Sequence, residues 1–408
     1  MYKLNMNPTY IPRNEYIHRI QPFIGKNIIK VLVGQRRVGK SYLLMQLMDE
    51  VKKIDSEVHC IFINKESLEF DRIKDYKDVL DYVNQHKKSG GKNALFIDEI
   101  QDIIEFEKAL RHFGLEPNFD IYCTGSNANL LSGELATYLS GRYIEFNVYS
   151  LSYIEFLEFH KLENNSTSLK SFLTYGGMPF LRNLVKEDTV FTEYLKNIYA
   201  TILYKDIISR FQIRNTQFLE NLVQFLSNNI GNVISANKIS DYLKSQKLKI
   251  SPQLVLNYLN YLTQAFLIFQ VKRNDILGKK IFEIHEKYYF EDWGIVNAML
   301  GFQNMDVGKI MENAVFMHLK IQGYKIHVGV IGDKEIDFVA EKNGAKLYLQ
   351  VCYLLSDDKV KQREFGNLSL IDDNYPKYVV SLDEFAPADL NGIKHIHLRE
   401  LLSGGSLV

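Results

Sequence analysis

One segment near the start of the chain reads Gly34-Gln35-Arg36-Arg37-Val38-Gly39-Lys40-Ser41, which fits the pattern GxxxxGK(S/T). An apolar run over residues 28–33 precedes it, and helical spacing over residues 41–51 follows it. A glycine-rich turn between a buried strand and a helix is the context in which this pattern cradles phosphate groups. A chance glycine-rich turn is the alternative interpretation, and the flanking strand and helix argue against it. The segment therefore predicts a nucleotide site on a parallel α/β sheet.

The residue types in this segment match the chemistry of phosphate binding. Glycines let backbone N–H groups turn toward phosphate oxygens, and the N-terminus of the helix adds a favourable dipole. Lys40 is expected to reach the β- and γ-phosphates, and the Ser41 hydroxyl to ligate Mg²⁺. We predict ATP and Mg²⁺ as cofactors, held by Gly34, Gln35, Arg36, Arg37, Val38, Gly39, Lys40, Ser41 and Tyr42.

Two acidic residues, Asp98 and Glu99, end a second apolar run over residues 94–97. The carboxyl ends of parallel strands meet at one edge of a sheet, so both carboxylates are expected beside the phosphate loop. Asp98 is predicted to hold Mg²⁺, directly or through water, and Glu99 to orient and polarise the attacking water. A solvated strand end is the alternative. The separation from Lys40, 98 − 40 = 58 residues, leaves room for one intervening strand and favours the site.

Two polar positions adjoin the fourth and fifth predicted strands. Ser126 follows the apolar run over residues 120–124 and is predicted to touch the γ-phosphate or the attacking water, with Asn127 as the next candidate. A turn with a helix N-cap explains this segment equally well. Arg142 directly precedes the run over residues 143–148. It cannot easily reach its own nucleotide, but it can reach the γ-phosphate of a neighbouring subunit. A surface salt bridge is the alternative for Arg142.

The composition is that of a globular protein with two or three domains. The 408 residues include 49 Lys and Arg, 49 Asp and Glu, and 46% hydrophobic residues, which excludes both wholesale disorder and a histone-like basic body. We expect no membrane segment, because no run of about 18 apolar residues occurs, and no apolar signal-peptide core stands near the N-terminus. The three cysteines lie far apart. Together these features predict a cytoplasmic protein with reduced thiols.

Periodicity further along the chain changes from mostly helical to mixed. Residues 151–290 show mainly helical spacing, and within them three helices followed by a β-hairpin over residues 216–290 resemble a winged helix. Residues 305–400 begin with a helix and continue as strands. Asn343-Gly344 lies between two of those strands, and both residues tolerate positive φ, so a tight antiparallel hairpin is expected there.

These features resemble the prokaryotic AAA-family ATPases with a C-terminal DUF4143-type region. The motifs that carry the resemblance are GQRRVGKS at 34–41, FIDEIQ at 96–101, TGS at 124–126, GR at 141–142, YGGMP at 175–179, YKD at 204–206 and YFED at 289–292. The resemblance implies an α/β P-loop ATPase core over residues 1–150, a helical lid over 151–215, a winged helix over 216–295 and an α/β domain like the PD-(D/E)XK nucleases over 296–408. It also implies that Arg142 acts as a finger in trans within a homo-oligomer.

The predicted winged helix carries a local excess of positive charge. Four acidic residues accompany nine basic ones, which are Lys238, Lys244, Lys247, Lys249, Lys272, Arg273, Lys279, Lys280 and Lys287. Such an excess suits contacts with the phosphate backbone of DNA. A winged helix that packs against protein neighbours is the alternative.

The predicted nuclease-like domain departs from the pattern of an active metal-dependent nuclease. Glu312 and Asp337 are its candidate acidic residues, but Gln350 replaces the second carboxylate and Cys352 stands where a lysine would activate water. We therefore expect no cleavage of DNA. The main functional prediction is Mg²⁺-dependent ATP hydrolysis that drives a conformational change or an assembly, with DNA as a candidate partner. A slow nucleotide-gated switch or scaffold, and an ATP-regulated nuclease, are the alternatives.

Overall fold

The chain folds into two structural units, residues 1–148 and residues 149–408. The structure is a computed structural model, and it describes residues 10–128, 130, 139, 141–245, 250–276, 286–302, 306–355, 358–384, 389–405 and 407. Among these residues no helix is both long enough and apolar enough to cross a membrane.

The first unit is built on a five-stranded sheet in which every pairing is parallel. Its strands are β1 (Ile29–Val33), β2 (His59–Asn64), β3 (Asn93–Asp98), β4 (Phe119–Gly125) and β5 (Tyr143–Asn147), in the order β2-β3-β4-β1-β5. The three central strands, β3, β4 and β1, are buried along their whole length, as expected for strands covered on both faces. The predicted α/β class and the five predicted strands are confirmed.

Helices connect and cover these strands. They are α1 (Asn14–Ile20), α2 (Lys40–Ile54), α3 (Tyr76–His86) and α4 (Phe106–Gly114). Helix α2 buries Leu43, Leu44, Leu47 and Val51, a spacing of three to four residues that gives one apolar face. Since β1 ends at Val33 and α2 begins at Lys40, the glycine-rich segment forms the connection between them.

The second unit begins with helices and continues into a mixed sheet. The helices are α5 (Tyr153–His160), α6 (Ser166–Tyr175), α7 (Asp188–Thr201), a π-helical continuation (Ile202–Ser209), α8 (Thr216–Asn228), α9 (Ala236–Ser245) and α10 (Pro252–Gln264). A hairpin of β6 (Ile268–Asp275) and β7 (Glu286–Phe290) follows them. Three helices and a hairpin thus occur in the expected order over residues 216–290, and the winged-helix assignment itself stays a prediction.

The hairpin β6–β7 is part of an eight-stranded sheet with order β12-β13-β11-β10-β9-β8-β6-β7. Its other strands are β8 (Lys325–Ile331), β9 (Lys334–Lys342), β10 (Ala345–Val351), β11 (Lys377–Ser381), β12 (Asp389–Leu390) and β13 (Ile393–His397). The helices after the hairpin are α11 (Trp293–Leu300), α12 (Val307–Ile321), α13 (Asp358–Ser369) and α14 (Leu398–Leu402). Residues 273–275 of β6 pair with residues 328–330 of β8. One sheet therefore contains strands from both sides of the domain boundary predicted at residue 295. The finer division into domains stays a prediction.

The predicted tight hairpin between β9 and β10 is present. The two strands pair antiparallel up to Lys342 and Ala345. Asn343 and Gly344 between them have φ values of 52° and 81°, the left-handed conformation that a two-residue hairpin loop requires.

Two motifs that are far apart in sequence meet at the start of α11. Asp292 caps this helix, since its Oδ1 accepts a hydrogen bond from Ile295 N at 3.2 Å. Its Oδ2 accepts a second one from Gly177 N at 2.7 Å. Gly176 has a φ of 75°, and a Cβ at that position would overlap the Asp292 carboxylate. The segment 175–179 therefore needs a glycine at position 176 so that its backbone can reach Asp292.

The C-terminus of α6 is closed by side chains of α11. The indole Nε1 of Trp293 donates to Phe172 O at 2.9 Å. The amide Nδ2 of Asn297 donates to Leu173 O at 3.1 Å and to Thr174 O at 2.8 Å. The last carbonyls of a helix lack partners within the helix. Asn297 supplies donors to the carbonyls of Leu173 and Thr174, and Trp293 adds a second donor to Phe172 O, which also accepts from Gly176 N at 2.9 Å.

We predict that Asp292→Ala lowers the free energy of unfolding by about 2–4 kcal/mol, because it removes a helix cap and leaves the buried Gly177 N–H without its acceptor. Asp306→Ala is the matched control. Asp306 also caps a helix, α12, but it is exposed, so a loss of about 1 kcal/mol is expected. Urea denaturation measures both variants. Equal losses would contradict the central role given to Asp292.

Candidate nucleotide-binding site

The loop between β1 and α2 has a backbone that only certain residues allow. A Cβ at Gly34 would overlap the carbonyl oxygen of Val148, so no larger residue fits there without a shift of the backbone. Arg37 and Gly39 have φ values of 71° and 98°, which lie in the left-handed region. This conformation curls the loop and places the start of α2 at the carboxyl end of β1.

Buried side chains of the loop, and Arg13 from outside it, pack around the loop backbone. Gln35 and Val38 are fully buried, and Arg36 is nearly so. The Nη1 atom of Arg36 lies 3.3 Å from Glu66 Oε1. Arg13, which the sequence analysis did not single out, donates from Nη1 to Val38 O at 3.1 Å. The contacts of Arg13 and Arg36 thus fix the loop to neighbouring residues.

Lys40 folds back over the loop. Its Nζ atom donates to Gly34 O at 3.0 Å and to Gln35 O at 2.9 Å, and it lies 4.0 Å from Glu99 Oε1. The ammonium group is therefore held inside the curve of the loop, where phosphate oxygens can take the place of the two carbonyls. Tyr42, in contrast, is 53% exposed and lies on the outer side of α2.

Asp98 and Ser41 form the candidate Mg²⁺ site. Asp98 ends β3 and is buried, and burial raises the pKa of its carboxyl group. Thr124 Oγ1 donates to Asp98 Oδ1 at 2.5 Å, and a hydrogen bond from Ser41 also opposes the rise of the pKa. A carboxylate beside a hydroxyl is an oxygen donor set that suits Mg²⁺. A cation bound here would offset the cost of burying the charge of Asp98.

Glu99 is held in an unusual conformation next to Asp98. Its φ of 52° is left-handed, which is strained for a residue with a side chain. Its backbone N–H donates to Thr124 Oγ1 at 2.9 Å, so the one hydroxyl of Thr124 connects the ends of β3 and β4. Gln101 Nε2 donates to Glu99 Oε2 and lies 3.4 Å from Ser126 Oγ. Thr124 and Gln101 belong to motifs visible in the sequence, but their contacts were not predicted.

Arg142 lies at the opposite edge of the sheet. It is exposed, and its carbonyl accepts a hydrogen bond from Ile29 N at 2.9 Å, at the beginning of β1. Gly34 follows the other end of β1, five residues further on, which corresponds to about 16 Å along the strand. The structure thus brings Lys40, Ser41, Asp98, Glu99 and Ser126 to one edge and leaves Arg142 outside that group.

The second unit contains a separate cluster of buried charges around Lys287. This lysine of β7 is 1% exposed. Its Nζ atom lies 2.9 Å from Glu312 Oε1, 2.9 Å from Glu335 Oε1 and 3.2 Å from Asp337 Oδ1. Burial opposes its charge, but the neighbouring groups, Tyr289 and the three carboxylates, together raise the pKa of Lys287 well above its ordinary value. The cluster therefore carries its own cation.

The other residues predicted for a nuclease-like site have structural roles or are neutral. Asp337 Oδ2 accepts a hydrogen bond from Val351 N at 2.9 Å, and Gln350 Oε1 accepts one from Asp337 N at 3.3 Å. Burial raises the pKa of Cys352 to about 12, so its thiol is neutral. These contacts give the expectation of no cleavage a structural reason.

The basic surface predicted on the winged helix is smaller than the sequence suggested. Lys287 is buried in the cluster described above, and Arg273 Nε lies 3.5 Å from Glu335 Oε2. Lys238, Lys244 and Lys272 are exposed, and Lys244 is paired with Asp241 at 2.9 Å. The remaining four lysines, Lys247, Lys249, Lys279 and Lys280, lie outside the described residues.

Comparison with known proteins identifies the first unit. A family model described as an AAA domain matches residues 26–157. An uncharacterized protein of Haemophilus influenzae is 34% identical over 404 residues, which is 97% of this chain and 100% of that protein. An uncharacterized protein of Methanocaldococcus jannaschii is 34% identical over 358 residues, 83% of this chain and 77% of its own. The chain belongs to the family of these two proteins. It contains an AAA-type P-loop ATPase domain, as the resemblance predicted.

A solved structure agrees on the fold. The Walker-type ATPase of Pyrococcus abyssi is similar with a TM-score of 0.51 at 16% identity, over 71% of this chain and 96% of that one. The C-terminal part of the resemblance is not confirmed in the same way. The model that matches residues 166–306 is a domain of unknown function, DUF8612, and not the DUF4143-type region.

We predict that Lys287→Met lowers the free energy of unfolding by about 3–5 kcal/mol at neutral pH, because it leaves buried carboxylates without their cation. The loss should shrink as the pH falls. Burial raises the pKa of Glu312 and of Asp337. In the variant, these carboxyl groups therefore bind protons more tightly in the folded state than in the unfolded state, and protonation at low pH stabilises the folded state.

Lys244→Met is the control for this variant, since it removes an ammonium group from a pair in which the lysine side chain is 55% exposed, and a change below about 1 kcal/mol is expected. Denaturation at several pH values compares the two. A loss at Lys287 no larger than the loss at Lys244 would show that the cluster does not depend on its lysine.

Proposed function

We propose that this AAA-family protein binds ATP with Mg²⁺ and hydrolyses it. The observation that carries the proposal is the meeting of Lys40, Asp98 and Glu99 at the carboxyl edge of the parallel sheet, with Lys40 Nζ 4.0 Å from Glu99 Oε1. A positive group that can bind phosphates, a carboxylate beside a hydroxyl, and a second carboxylate able to polarise water are the parts that phosphoryl transfer to water requires.

Each residue would have a separate task. Backbone N–H groups of residues 34–39 and the N-terminus of α2 would bind the phosphates, and Lys40 would exchange its two carbonyl partners for phosphate oxygens. Ser41 and Asp98 would hold Mg²⁺, which supplies charge neutralisation on the β- and γ-phosphates when bound. Glu99 would orient and polarise the attacking water, and Ser126 would contact the γ-phosphate or that water.

The position of Arg142 favours action on a neighbouring subunit. Arg142 is exposed and precedes β5, at the end of the sheet where the parallel strands begin. It is therefore about the length of one strand away from the phosphate loop of its own subunit. An arginine placed against the γ-phosphate stabilises the charge that develops in the transition state. We therefore propose a homo-oligomer in which Arg142 completes the site of the next subunit.

We propose that hydrolysis drives a conformational change or an assembly, and that the second unit does not cleave nucleic acid. The buried Lys287 balances the carboxylates that an active nuclease would use for metal ions, and Cys352 is not a cation. Lys238 and Lys272 of the described residues are exposed and could contact the phosphate backbone of DNA, which therefore stays a candidate partner. Phosphate release measured with and without DNA tests this proposal.

We predict that Lys40→Ala lowers the affinity for ATP by about 100-fold or more, since two charge-assisted contacts to phosphate are lost. Glu99→Gln should keep the affinity and lose turnover by about 10²- to 10⁴-fold, because it removes the group that accepts the proton of the attacking water. Isothermal titration and phosphate release measure the two effects. Lys52→Ala, on the exposed face of the same helix, is the control. Wild-type turnover in Glu99→Gln would rule out Glu99 as the base.

We predict that Arg142→Ala lowers turnover on the order of 10³-fold with little change in ATP affinity, because the arginine acts only on the transition state. Subunits with Arg142→Ala mixed with Lys40→Ala subunits should recover partial turnover, since each kind supplies the group that the other lacks. Arg111→Ala, another exposed arginine of the first unit, is the control. A mixture as inactive as both parents would contradict action in trans.

A further inference from the structure

Gln101 connects two groups of the proposed site. It lies in the short helical turn Ile100–Asp102, directly after Glu99. Its Nε2 atom donates a hydrogen bond to Glu99 Oε2 and lies 3.4 Å from the hydroxyl of Ser126. One amide therefore contacts the candidate base and the candidate γ-phosphate contact at the same time.

The orientation of this amide is fixed by its surroundings. A Cβ at Gly125 would lie 3.0 Å from Gln101 Oε1 and 2.6 Å from Leu130 Cδ2, so the glycine makes room for the glutamine. If the amide were reversed, its carbonyl oxygen would face the Glu99 carboxylate, and two acceptors would repel each other. In the observed orientation Oε1 is buried without a hydrogen-bond partner among the described residues.

A buried carbonyl oxygen without a partner costs free energy. The conformation of Gln101 therefore lowers the stability of the fold at this point, and stability alone does not explain it. What the arrangement achieves is control of a carboxylate. The Glu99 carboxylate has its Oε2 on the Gln101 amide and its Oε1 4.0 Å from Lys40 Nζ. A carboxylate held on one oxygen presents the other in a defined direction, which is the condition for accepting a proton from a positioned water.

We propose that Gln101 is the positioning residue for Glu99: it fixes the carboxylate toward the attacking water and couples it to Ser126, so that contact of the γ-phosphate with Ser126 is transmitted to the base. The inference rests on the proposed hydrolysis of ATP. Gln101 touches neither nucleotide nor water in this account and acts through Glu99.

Gln101→Met tests the proposal, because methionine keeps the length of the side chain and removes the donor. We expect kcat to fall about 10- to 100-fold, while KM and the affinity for ATP stay within about twofold. A fall in kcat without a change in KM or ATP affinity separates a positioning role from a general loss of structure, which would weaken ATP binding as well.

Gln101→Glu is the second variant, in which a carboxylate of nearly the same shape stands beside Glu99. The fall in kcat should be at least as large as in Gln101→Met, because the donor is lost and a like charge is placed beside the Glu99 carboxylate. Gln85→Met on the exposed face of α3 is the control, with unchanged kinetics. Thermal denaturation shows whether each variant is folded.

The outcomes separate this inference from the proposed function. Folded Gln101 variants with wild-type kcat would overturn the positioning role while hydrolysis stands. A loss of kcat in Gln101→Met accompanied by an equal loss of ATP affinity would also overturn it, since a merely structural effect lowers both. A wild-type protein that binds ATP and releases no phosphate would overturn both proposals.

Discussion

The parallel direction of the strands in the first unit determines where its polar groups lie. In a parallel sheet every strand ends at the same edge, so residues that follow β1, β3 and β4 are brought together although they are far apart in the chain. Lys40, Asp98 and Ser126 meet for this reason. The same constraint places Arg142 at the far edge, because it precedes a strand instead of following one.

Hydrogen bonds then convert a common edge into a defined site. The Thr124 hydroxyl accepts from Glu99 N and donates to Asp98, which ties the ends of two neighbouring strands. Gln101 adds the contact between Glu99 and Ser126. The left-handed backbone of Glu99 is the local strain that this network maintains. A site of this kind is positioned by the sheet and adjusted by a few side chains that do not themselves touch the nucleotide.

Charge burial imposes a different constraint on the second unit. Of the three carboxylates around Lys287, those of Glu312 and Asp337 are largely shielded from solvent, whereas Glu335 is 29% exposed. A shielded carboxylate without a partner is costly to bury. One ammonium group from β7 lies within 3.2 Å of all three. In the sequence this lysine stands among other basic residues and suggested a surface for DNA, because a local count of charges contains no information on which side of a strand a residue faces or what lies opposite.

The sequence by itself determined the α/β class, the five strands of the first unit, the phosphate loop and the hairpin at Asn343-Gly344. These depend on local patterns: apolar runs, helical spacing, and glycines where the backbone must turn. The pairing of Gly177 with Asp292, the contacts of Gln101 and the burial of Lys287 were decided only by the tertiary structure. In each of these the partner is set by how distant elements pack, and short-range periodicity does not encode which partner a buried polar group will find.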